Sequence, residues 1–328
     1  MSDKHAPASQ AFETGQIDAE LARFMRRIAS IDASVPEDPS DPLGRRRRIG
    51  ELVADALPPG PQLDVQRRDV EFRPPAGHIV PVRLYLPPAT GPRKLMPYFH
   101  GGGWVVGDIA SHDKLCARIA HETGYAVASV HYRRAPEHPY PAPLQDCCQT
   151  IAWLLQHAEL WEGEGDAPIA LGGDSSGAHL AVACAMRALL AQGPAIDRML
   201  LFYPPVLRDA DTASMRQFGH GGGLTQAAMS AFWQAYTGDP DDHADDPCVH
   251  LPLWPRPAEL PPAVLVTAEC DILRDEGEDY ARQLWQGGAK VVMIRAPGMA
   301  HGFARMLTAS RAAAGYVVQA CGALQNIA

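Results

Sequence analysis

The sequence predicts an α/β fold in which a mostly parallel central sheet is flanked by helices and carries a helical cap. Short apolar, β-rich runs alternate with helical stretches, the order expected of strands joined by covering helices. Most runs are continuously apolar, as expected of strands buried on both faces. The predicted strands are 80–86, 96–100, 126–131, 169–171, 199–203, 263–268 and 290–294. The predicted helices of the α/β part are 114–122, 144–157, 176–191, 276–286 and 309–324.

Two stretches interrupt this alternation. Residues 10–57 have a helical, amphipathic pattern before any predicted strand, and residues 206–250 contain a helix around 226–236 and an Asp/Pro-rich loop. The second stretch directly follows a core strand, at the edge where open α/β sheets bind ligands, so we expect the two to pack together as a lid. The alternative is a pair of peripheral helical segments without a functional role. The predicted organisation is an N-terminal part of the cap at 1–57, the α/β domain at 58–205 and 251–328, and a cap insertion at 206–250.

Composition and charge exclude several classes of protein. Hydrophobic residues make up 46% of the 328 residues, which is ample for a core, yet no apolar stretch approaches the roughly 18 residues of a membrane span. The first residues lack the pattern of a secretory signal, and the formal charge of −9 argues against a nucleic-acid partner. The seven cysteines lack metal-ligand spacing, so we predict reduced thiols in a cytoplasmic protein without a metal site. The arginine run at 45–48 is interpreted as a solvated helix face.

The segment 173–177 fits the pattern Gly-x-Ser-x-Gly. The apolar run 167–171 precedes it and the helix-compatible stretch 178–186 follows it. This strand–turn–helix order is the context in which the pattern presents a reactive serine, because the strained turn lifts one hydroxyl clear of the sheet. We therefore expect Ser175 to be a nucleophile.

A serine hydroxyl needs an imidazole to take its proton and a carboxylate to orient that imidazole. Asp271 follows one predicted strand and His301 follows the next, so both are expected at the sheet edge where Ser175 lies. The order Ser, Asp, His is that of the motif's usual catalytic set. Competing side chains are set aside by position: His179 within the helix after the serine, His220, His243 and His250 in the cap insertion, and Asp275 and Glu276 as caps of the following helix.

The segment His-Gly-Gly-Gly-Trp at 100–104 directly follows a predicted strand. Consecutive glycines let backbone N–H groups turn toward a negatively charged oxygen without obstruction by side chains. We predict that the amides of Gly102, Gly103 and Ser176 form an oxyanion hole. A phosphate-binding loop is the rival interpretation, but neither the Lys-Ser/Thr of a P-loop nor a Gly-x-Gly-x-x-Gly helix start accompanies it.

Together these motifs resemble the hormone-sensitive-lipase-like family of α/β-hydrolases, in particular its bacterial carboxylesterases. The matching stretches are 100–104, 132–142, 173–177, 271–277 and 301–303, which recur in family order. The resemblance implies an α/β-hydrolase fold with a helical cap, hydrolysis of carboxylic esters with short to medium acyl chains, and no cofactor. It also makes a homodimer through an edge strand an expectation.

The resemblance further implies roles for side chains that do not react. In the family the stretch at 132–142 supports the oxyanion loop, so a structural role is expected for Arg133 and Glu137. Trp104 is expected to line the substrate pocket, and His100 and Asp174 to support the site from their places in the two glycine motifs.

The chain departs from the family pattern at several positions. It has His131 where Asp is usual, Ser176 for Ala, Ala178 for Gly and Ile272 for Pro, and 249–253 replaces a commoner Ser-Pro-Leu anchor of the cap. None of these changes removes a predicted reacting group. We interpret His131 as a satisfied buried imidazole; an altered support network for the oxyanion loop is the alternative.

The predicted function is therefore a serine carboxylic-ester hydrolase acting on a small-molecule ester through an acyl-enzyme. Amidase, formamidase or acetyl-ester deacetylase activity on the same residues is the alternative. A non-catalytic ligand receptor on the same fold is a remote one, because such proteins typically lose the histidine that His301 supplies. The depth of the pocket is expected to depend on the packing of cap residues Phe12, Phe24, Met25, Phe218 and Trp233.

Overall fold

The computed structural model describes residues 16–36, 41–221 and 223–327, and within them eight strands form one sheet in the order β1-β2-β4-β3-β5-β6-β7-β8. Strand β2 pairs antiparallel with β1 and β4, and every other neighbouring pair is parallel. This confirms the mostly parallel α/β fold. The strands are β1 (Gln66–Phe72), β2 (Val80–Leu86), β3 (Leu95–Phe99), β4 (Ala126–Val130), β5 (Ile169–Asp174), β6 (Ile196–Phe202), β7 (Ala263–Cys270) and β8 (Val291–Ala300).

Helices cover the sheet and build the two additional segments. Those predicted for the α/β part correspond to α3, α4, α5, α8 and α9, whereas the six-residue α6 was not predicted. The helices are α1 (Ala19–Ser34), α2 (Pro42–Ala56), α3 (Asp113–Thr123), α4 (Ala142–Gln156), α5 (Ser176–Ala191), α6 (Ala213–Phe218), α7 (Gln226–Thr237), α8 (Arg274–Gln286) and α9 (Arg311–Asn326). In the described part of the chain, none of them is both long and apolar enough to cross a membrane.

The core lies on both faces of the central strands. All residues of β3, β4 and β5 are buried, in keeping with their continuous apolar patterns. Helix α5 is buried over its first 11 residues, from Ser176 to Met186, where small side chains let it pack closely behind β5. The carboxyl ends of β3, β5, β7 and β8 therefore meet at one edge, and the loops that follow them carry the candidate site.

Strand β1 is an exposed edge strand of mostly polar residues, so its sequence lacks the apolar pattern that predicts a strand. Ion pairs connect it to a neighbouring strand and a covering helix: Arg83 of β2 binds Asp69 at 2.6 Å, and Arg67 binds Asp113 of α3 at 2.9 Å. An alternating apolar pattern is absent because these charges, rather than buried side chains, face its neighbours.

Helix α1 is attached to the end of the sheet that carries the candidate site. Asp18 caps α1 by accepting from the Leu21 amide at 3.0 Å, its own amide donates to the carbonyl of Gly298 in β8 at 2.9 Å, and its carboxylate accepts from the Ser310 hydroxyl at 2.8 Å. These bonds fix α1 beside the strand that leads into residue 301.

The arginine run is not simply a solvated face. Arg45 pairs with Asp32 of α1 at 2.6 Å, and Arg47 pairs with Glu137 at 2.6 Å. Arg48 is exposed, as expected. The run therefore connects α2 with α1 and with the loop after β4.

Candidate active site

Ser175 lies in the sharp turn between β5 and α5. Its backbone adopts φ 51° and ψ −126°, a region that a non-glycine residue occupies only at an energetic cost. A Cβ on Gly177 would lie 1.8 Å from the carbonyl oxygen of Phe99, so a side chain there would separate α5 from β3. The amide of Ser175 donates to the carbonyl of Phe202 at 2.8 Å, which holds the strained turn against β6.

The structure brings Ser175, His301 and Asp271 into one line of hydrogen bonds. His301 Nε2 lies 3.0 Å from Ser175 Oγ, and His301 Nδ1 lies 2.7 Å from Asp271 Oδ2. The other carboxylate oxygen of Asp271 accepts from the Leu273 amide at 3.0 Å. Since an ionised carboxylate only accepts, Nδ1 carries the proton and Nε2 is free to accept from the serine hydroxyl. The geometry is that of a nucleophile with its oriented base.

These three side chains have different surroundings. Ser175 is 7% exposed and Asp271 is 1% exposed, so both are shielded from bulk water. The imidazole of His301 is tilted against the ring of Tyr203, with centroids 4.9 Å apart. Tyr203 in turn accepts from the Ala304 amide at 3.2 Å, which connects it to the turn after His301. Packing therefore holds the imidazole in its position between the other two groups.

The glycine loop after β3 is a tight turn that carries amide donors without a partner among the described residues. The carbonyl of Gly102 accepts from the amides of Val105 at 3.1 Å and Val106 at 2.9 Å, which closes the loop into a tight turn. Both Gly102 (φ 130°) and Gly103 (φ 59°) occupy backbone regions that favour glycine. Among the residues the structure describes, no acceptor binds the amides of Gly102, Gly103 or Ser176. They are therefore available to an oxygen of a ligand, as the predicted oxyanion hole requires.

The side chain of Asp174 connects the turn at Ser175 with the glycine loop after β3. Its buried carboxylate accepts from the Gly101 amide and the Tyr98 hydroxyl, each at 3.0 Å, and lies 3.1 Å from His112 Nε2. Burial alone would raise the pKa of Asp174, but the attraction and hydrogen bond of His112 and the bond from Tyr98 outweigh it and lower the pKa to about 2. The carboxylate is thus a permanent charge. His112 was not singled out by the sequence analysis.

His100 lies at the start of the same loop and contacts it. Its Nδ1 lies 3.0 Å from the carbonyl of Gly101, its ring stacks on Tyr132 with centroids 4.4 Å apart, and the Tyr132 hydroxyl donates to the His100 carbonyl at 2.7 Å. Complete burial, followed by the proximity of His112 and His131, lowers the pKa of His100. The imidazole is therefore neutral where it packs.

The side chains of Arg133 and Glu137 bind partners outside the glycine loop. Arg133 binds the buried carboxylate of Asp146 at 2.8 Å, and Glu137 is exposed and binds Arg47 of α2. The same stretch supports the glycine loop through other groups: Arg134 Nη1 donates to the Gly107 carbonyl at 2.8 Å, and the Ala135 amide donates to the Trp104 carbonyl at 2.9 Å. Any residue other than proline can donate through its backbone amide, so the sequence does not reveal the bond from Ala135 to Trp104.

Trp104 does not line an accessible pocket. It is 0% exposed, and its indole stacks on Tyr236 of α7 with centroids 4.3 Å apart and planes at 3°. Trp233 of the same helix lies 4.4 Å away, and His179 of α5 meets the indole edge-on at 5.2 Å. Trp104 therefore fastens α7 onto the glycine loop. His179 Nε2 is bound to the carbonyl of Val249 at 3.1 Å, in keeping with its exclusion from the reacting set.

Two further expectations are wrong in detail. Nδ1 of His131 is buried and has no hydrogen-bond partner among the described residues, so this imidazole is not satisfied. Asp275 and Glu276 do not cap α8; they bind the cap insertion instead. Asp275 accepts from the Ser214 amide at 2.7 Å, and Glu276 accepts from the Val206 amide at 2.8 Å.

The other cap residues singled out in the sequence are buried where the structure describes them. Phe24 and Met25 are buried on α1, and the methyl carbon of Met25 lies 3.6 Å from the position of a Cβ on Gly223, which brings α1 to the cap insertion. Phe218 lies under the guanidinium of Arg274, 5.5 Å from its ring centre. Phe12 lies outside the described residues.

No cluster of three or more His, Cys, Asp or Glu side chains suited to a metal ion occurs in the described ranges.

Comparisons with known proteins agree with this fold. A family described as having the alpha/beta hydrolase fold matches residues 96–305. The chain is 35% identical to the carboxylic ester hydrolase LipN of Mycobacterium tuberculosis, over 87% of this chain and 75% of that protein. It is 36% identical to an ethyl acetate hydrolase of Pseudomonas putida, over 70% and 73% of the two chains.

Solved structures give the same picture. A hyperthermophilic esterase from the archaeon Pyrobaculum calidifontis superposes with a TM-score of 0.84 at 27% identity, covering 94% of this chain and 98% of that one. An ester hydrolase from the metagenome of Lake Arreo superposes with a TM-score of 0.85 at 29% identity, with 94% and 98% covered. The chain belongs to the hormone-sensitive-lipase-like family of α/β-hydrolases, whose named relatives are carboxylic ester hydrolases and esterases.

Proposed function

We propose that the chain is a serine carboxylesterase that hydrolyses short to medium acyl esters through an acyl-enzyme on Ser175. The observation that carries this proposal is the continuous line from Asp271 through His301 to Ser175, at 2.7 and 3.0 Å. A hydroxyl aligned on a neutral imidazole nitrogen can lose its proton as it attacks.

In the first half of the reaction, Ser175 Oγ forms a bond to the ester carbonyl carbon and its proton passes to His301 Nε2. The imidazolium that results is stabilised by the carboxylate of Asp271, which keeps its own charge. The carbonyl oxygen becomes negatively charged and accepts from the amides of Gly102, Gly103 and Ser176. Each such donor contributes about 3–4 kcal/mol in comparable sites. The bond to the alcohol oxygen then breaks, and His301 returns the proton to the leaving alcohol.

The second half repeats these steps with water. His301 takes a proton from water as its oxygen attacks the acyl carbon, and the same amides hold the charge. Collapse of this intermediate breaks the bond to Ser175 Oγ, which recovers its proton, and releases the carboxylic acid. Each half therefore begins and ends with a neutral imidazole.

The proposed cap consists of the N-terminal residues through α2 together with the insertion at 206–250. Two sets of contacts support it: Met25 of α1 lies next to Gly223, and Tyr236 of α7 stacks on Trp104 above the site. The ethyl acetate hydrolase among the relatives supports a preference for short acyl groups, since it is named for an ester of a two-carbon acid.

The test is hydrolysis of p-nitrophenyl butyrate by the purified protein and by Ser175→Ala, with Ser230→Ala on the exposed side of α7 as the control. We expect wild type and control to turn over the ester and the Ser175 variant to lose activity. A fluorophosphonate should label wild type once, with the adduct on Ser175 by mass spectrometry. An unlabelled wild-type protein would favour a ligand receptor, and faster cleavage of matched amides would favour an amidase.

We also propose that the protein forms a homodimer through β8. This strand ends the sheet order, and its neighbourhood exposes Met293 (48%) and Trp285 (68%). Unpaired edge strands with apolar side chains are templates for pairing. Light scattering after size exclusion should give twice the monomer mass, and Met293→Lys should give the monomer. A monomeric wild type would contradict this assembly.

A cytoplasmic location remains a prediction from the cysteine pattern.

A further inference from the structure

Phe232 of α7 lies directly against the backbone of Gly103. A Cβ atom added to Gly103 would lie 2.2 Å from Cγ of Phe232 and 2.4 and 2.6 Å from its two Cδ atoms. The phenyl ring therefore occupies the space immediately beside a glycine whose amide has no acceptor among the described residues. A carbonyl oxygen bound to that amide would place the rest of the ligand next to this ring.

The helix that carries Phe232 is fixed in place. Its neighbours Met229, Trp233 and Tyr236 are buried, whereas Phe232 is partly exposed. Tyr236 stacks on Trp104 of the glycine loop, and its carbonyl accepts from the amide of Tyr140 at 2.7 Å. Since these contacts hold α7 on the loop itself, the helix that carries the ring cannot move away from Gly103 without disturbing the loop.

The order of the strands decides which part of an ester would meet this ring. Strands β3 and β4 lie on one side of β5, and β6, β7 and β8 lie on the other. The partners of α7, Trp104 and Tyr140, follow β3 and β4, whereas His301 follows β8. His301 must reach the oxygen of the leaving alcohol to protonate it. The alcohol is therefore directed toward the β8 side, which leaves the acyl group on the side of α7.

We propose that Phe232 determines the acyl-group specificity of the enzyme, because its ring limits the size and branching of the acyl group beside Gly103. The inference rests on the proposed esterase function. It assigns to one residue of the proposed cap the role of restricting the acyl group of the substrate. Aromatic and apolar walls of this kind discriminate by shape, since a single extra methylene changes kcat/KM by roughly tenfold or more.

The test uses two substrate series on the full-length protein. One keeps p-nitrophenol as the alcohol and varies the acyl group from acetate to isobutyrate and benzoate. The other keeps acetate and varies the alcohol from ethanol to cyclohexanol and 1-naphthol. For each variant, kcat/KM of every ester is divided by that of the smallest member of its series, so that a general loss of active protein cancels.

Phe232→Ala and Phe232→Leu should raise the relative kcat/KM for isobutyrate and benzoate by roughly tenfold or more, and Phe232→Trp should lower it. The alcohol series should stay within about twofold of wild type in all three variants. Ser230→Ala, on the same helix but exposed, should leave both series unchanged.

Two results would overturn this inference: a change confined to the alcohol series, or unchanged ratios in all three variants. Ser175→Ala separates these outcomes from failure of the proposed function. If that variant is inactive while the Phe232 ratios do not move, only the specificity assignment fails. If Ser175→Ala keeps wild-type activity, or wild type hydrolyses no ester, both proposals fail.

Discussion

The imidazole of His112 lies 3.1 Å from the carboxylate of Asp174, the residue before Ser175, and both side chains are almost completely buried. The same carboxylate accepts from the amide of Gly101 at 3.0 Å. One charged group therefore connects the turn that carries Ser175 with the glycine loop after β3. A buried charge is stable only when it is paired and hydrogen-bonded, and here three donors share it.

Replacing Asp174 with Asn should lower kcat without a large change in KM. An amide has one acceptor oxygen where the carboxylate has two, so at least one of its buried donors would face an NH₂ group. A lost hydrogen bond to a charged group costs about 1.5–3 kcal/mol, which corresponds to roughly a tenfold to hundredfold lower kcat if the loop shifts. Steady-state kinetics with p-nitrophenyl butyrate measures this, with the exposed Asp166→Asn as control. Wild-type kcat in Asp174→Asn would show that the carboxylate does not position the loop.

The orientation of His301 by Asp271 gives a second prediction. In Asp271→Asn the side chain remains but its amide can donate to Nδ1, which favours the tautomer with the proton on Nε2 and leaves no base for the serine. We expect kcat to fall by about 10⁴-fold, as in comparable enzymes, while the melting temperature changes little. The measurement is kcat together with a thermal melt. A loss below tenfold would mean that another group orients His301.

Burial raises the pKa of Glu276 to about 8, against the smaller opposing effect of the amides of Val206 and Leu207. Because the folded protein then holds a proton that the unfolded chain releases at its ordinary pKa of 4.5, this group stabilises the fold fully below pH 4.5. The contribution is lost as pH rises toward 8, with a slope of at most about 1.4 kcal/mol per pH unit.

Glu276→Gln should remove that slope, since glutamine keeps the acceptor for the Val206 amide but does not titrate. Urea unfolding at intervals from pH 5 to 9 measures it. As pH rises, the unfolding free energy of wild type should fall relative to that of Glu276→Gln. The difference in unfolding free energy between wild type and the exposed Glu51→Gln should stay constant over the same pH range. Parallel curves for Glu276→Gln would contradict a protonated Glu276.

Gly102→Ala should abolish most activity. A Cβ at this position would lie 2.1 Å from the carbonyl oxygen of Val106, and the backbone has a φ of 130° that side chains rarely adopt. The loop must then open, and its amides lose their alignment. The matched control is Gly91→Ala, where a Cβ meets nothing within 4 Å. Equal activity of the two variants would show that the loop geometry is not required.

The parts of the site that depend on local order could be predicted from the sequence. Ser175, Asp271 and His301 each follow an apolar strand, and parallel strands bring their carboxyl ends to one edge whatever the intervening chain does. The predicted alignment therefore needed only the strand–turn–helix order and the chain order of three residues.

What could not be predicted depends on contacts between distant segments. Trp104 meets Tyr236 only because α7 folds back onto the glycine loop, and nothing in either local sequence distinguishes an indole facing a helix from one facing a pocket. Glu137 and Arg47 are 90 residues apart in the sequence, and they bind each other only because the fold brings α2 next to the loop after β4. Strand β1 lacks an apolar pattern because its partners are charges. In each of these cases the structure differs from the sequence prediction because tertiary packing, rather than the local sequence pattern, determines which residues are in contact.

The anchor of α1 has a consequence for biosynthesis. Asp18 is bound to Ser310, 292 residues further along the chain, and to Gly298, which lies just before His301. During translation, helix α1 therefore cannot form these bonds until the last strand of the sheet has left the ribosome. Docking of α1 and delivery of residue 301 to the sheet edge are therefore both late events, so a growing polypeptide lacks the complete line of hydrogen bonds from Asp271 to Ser175.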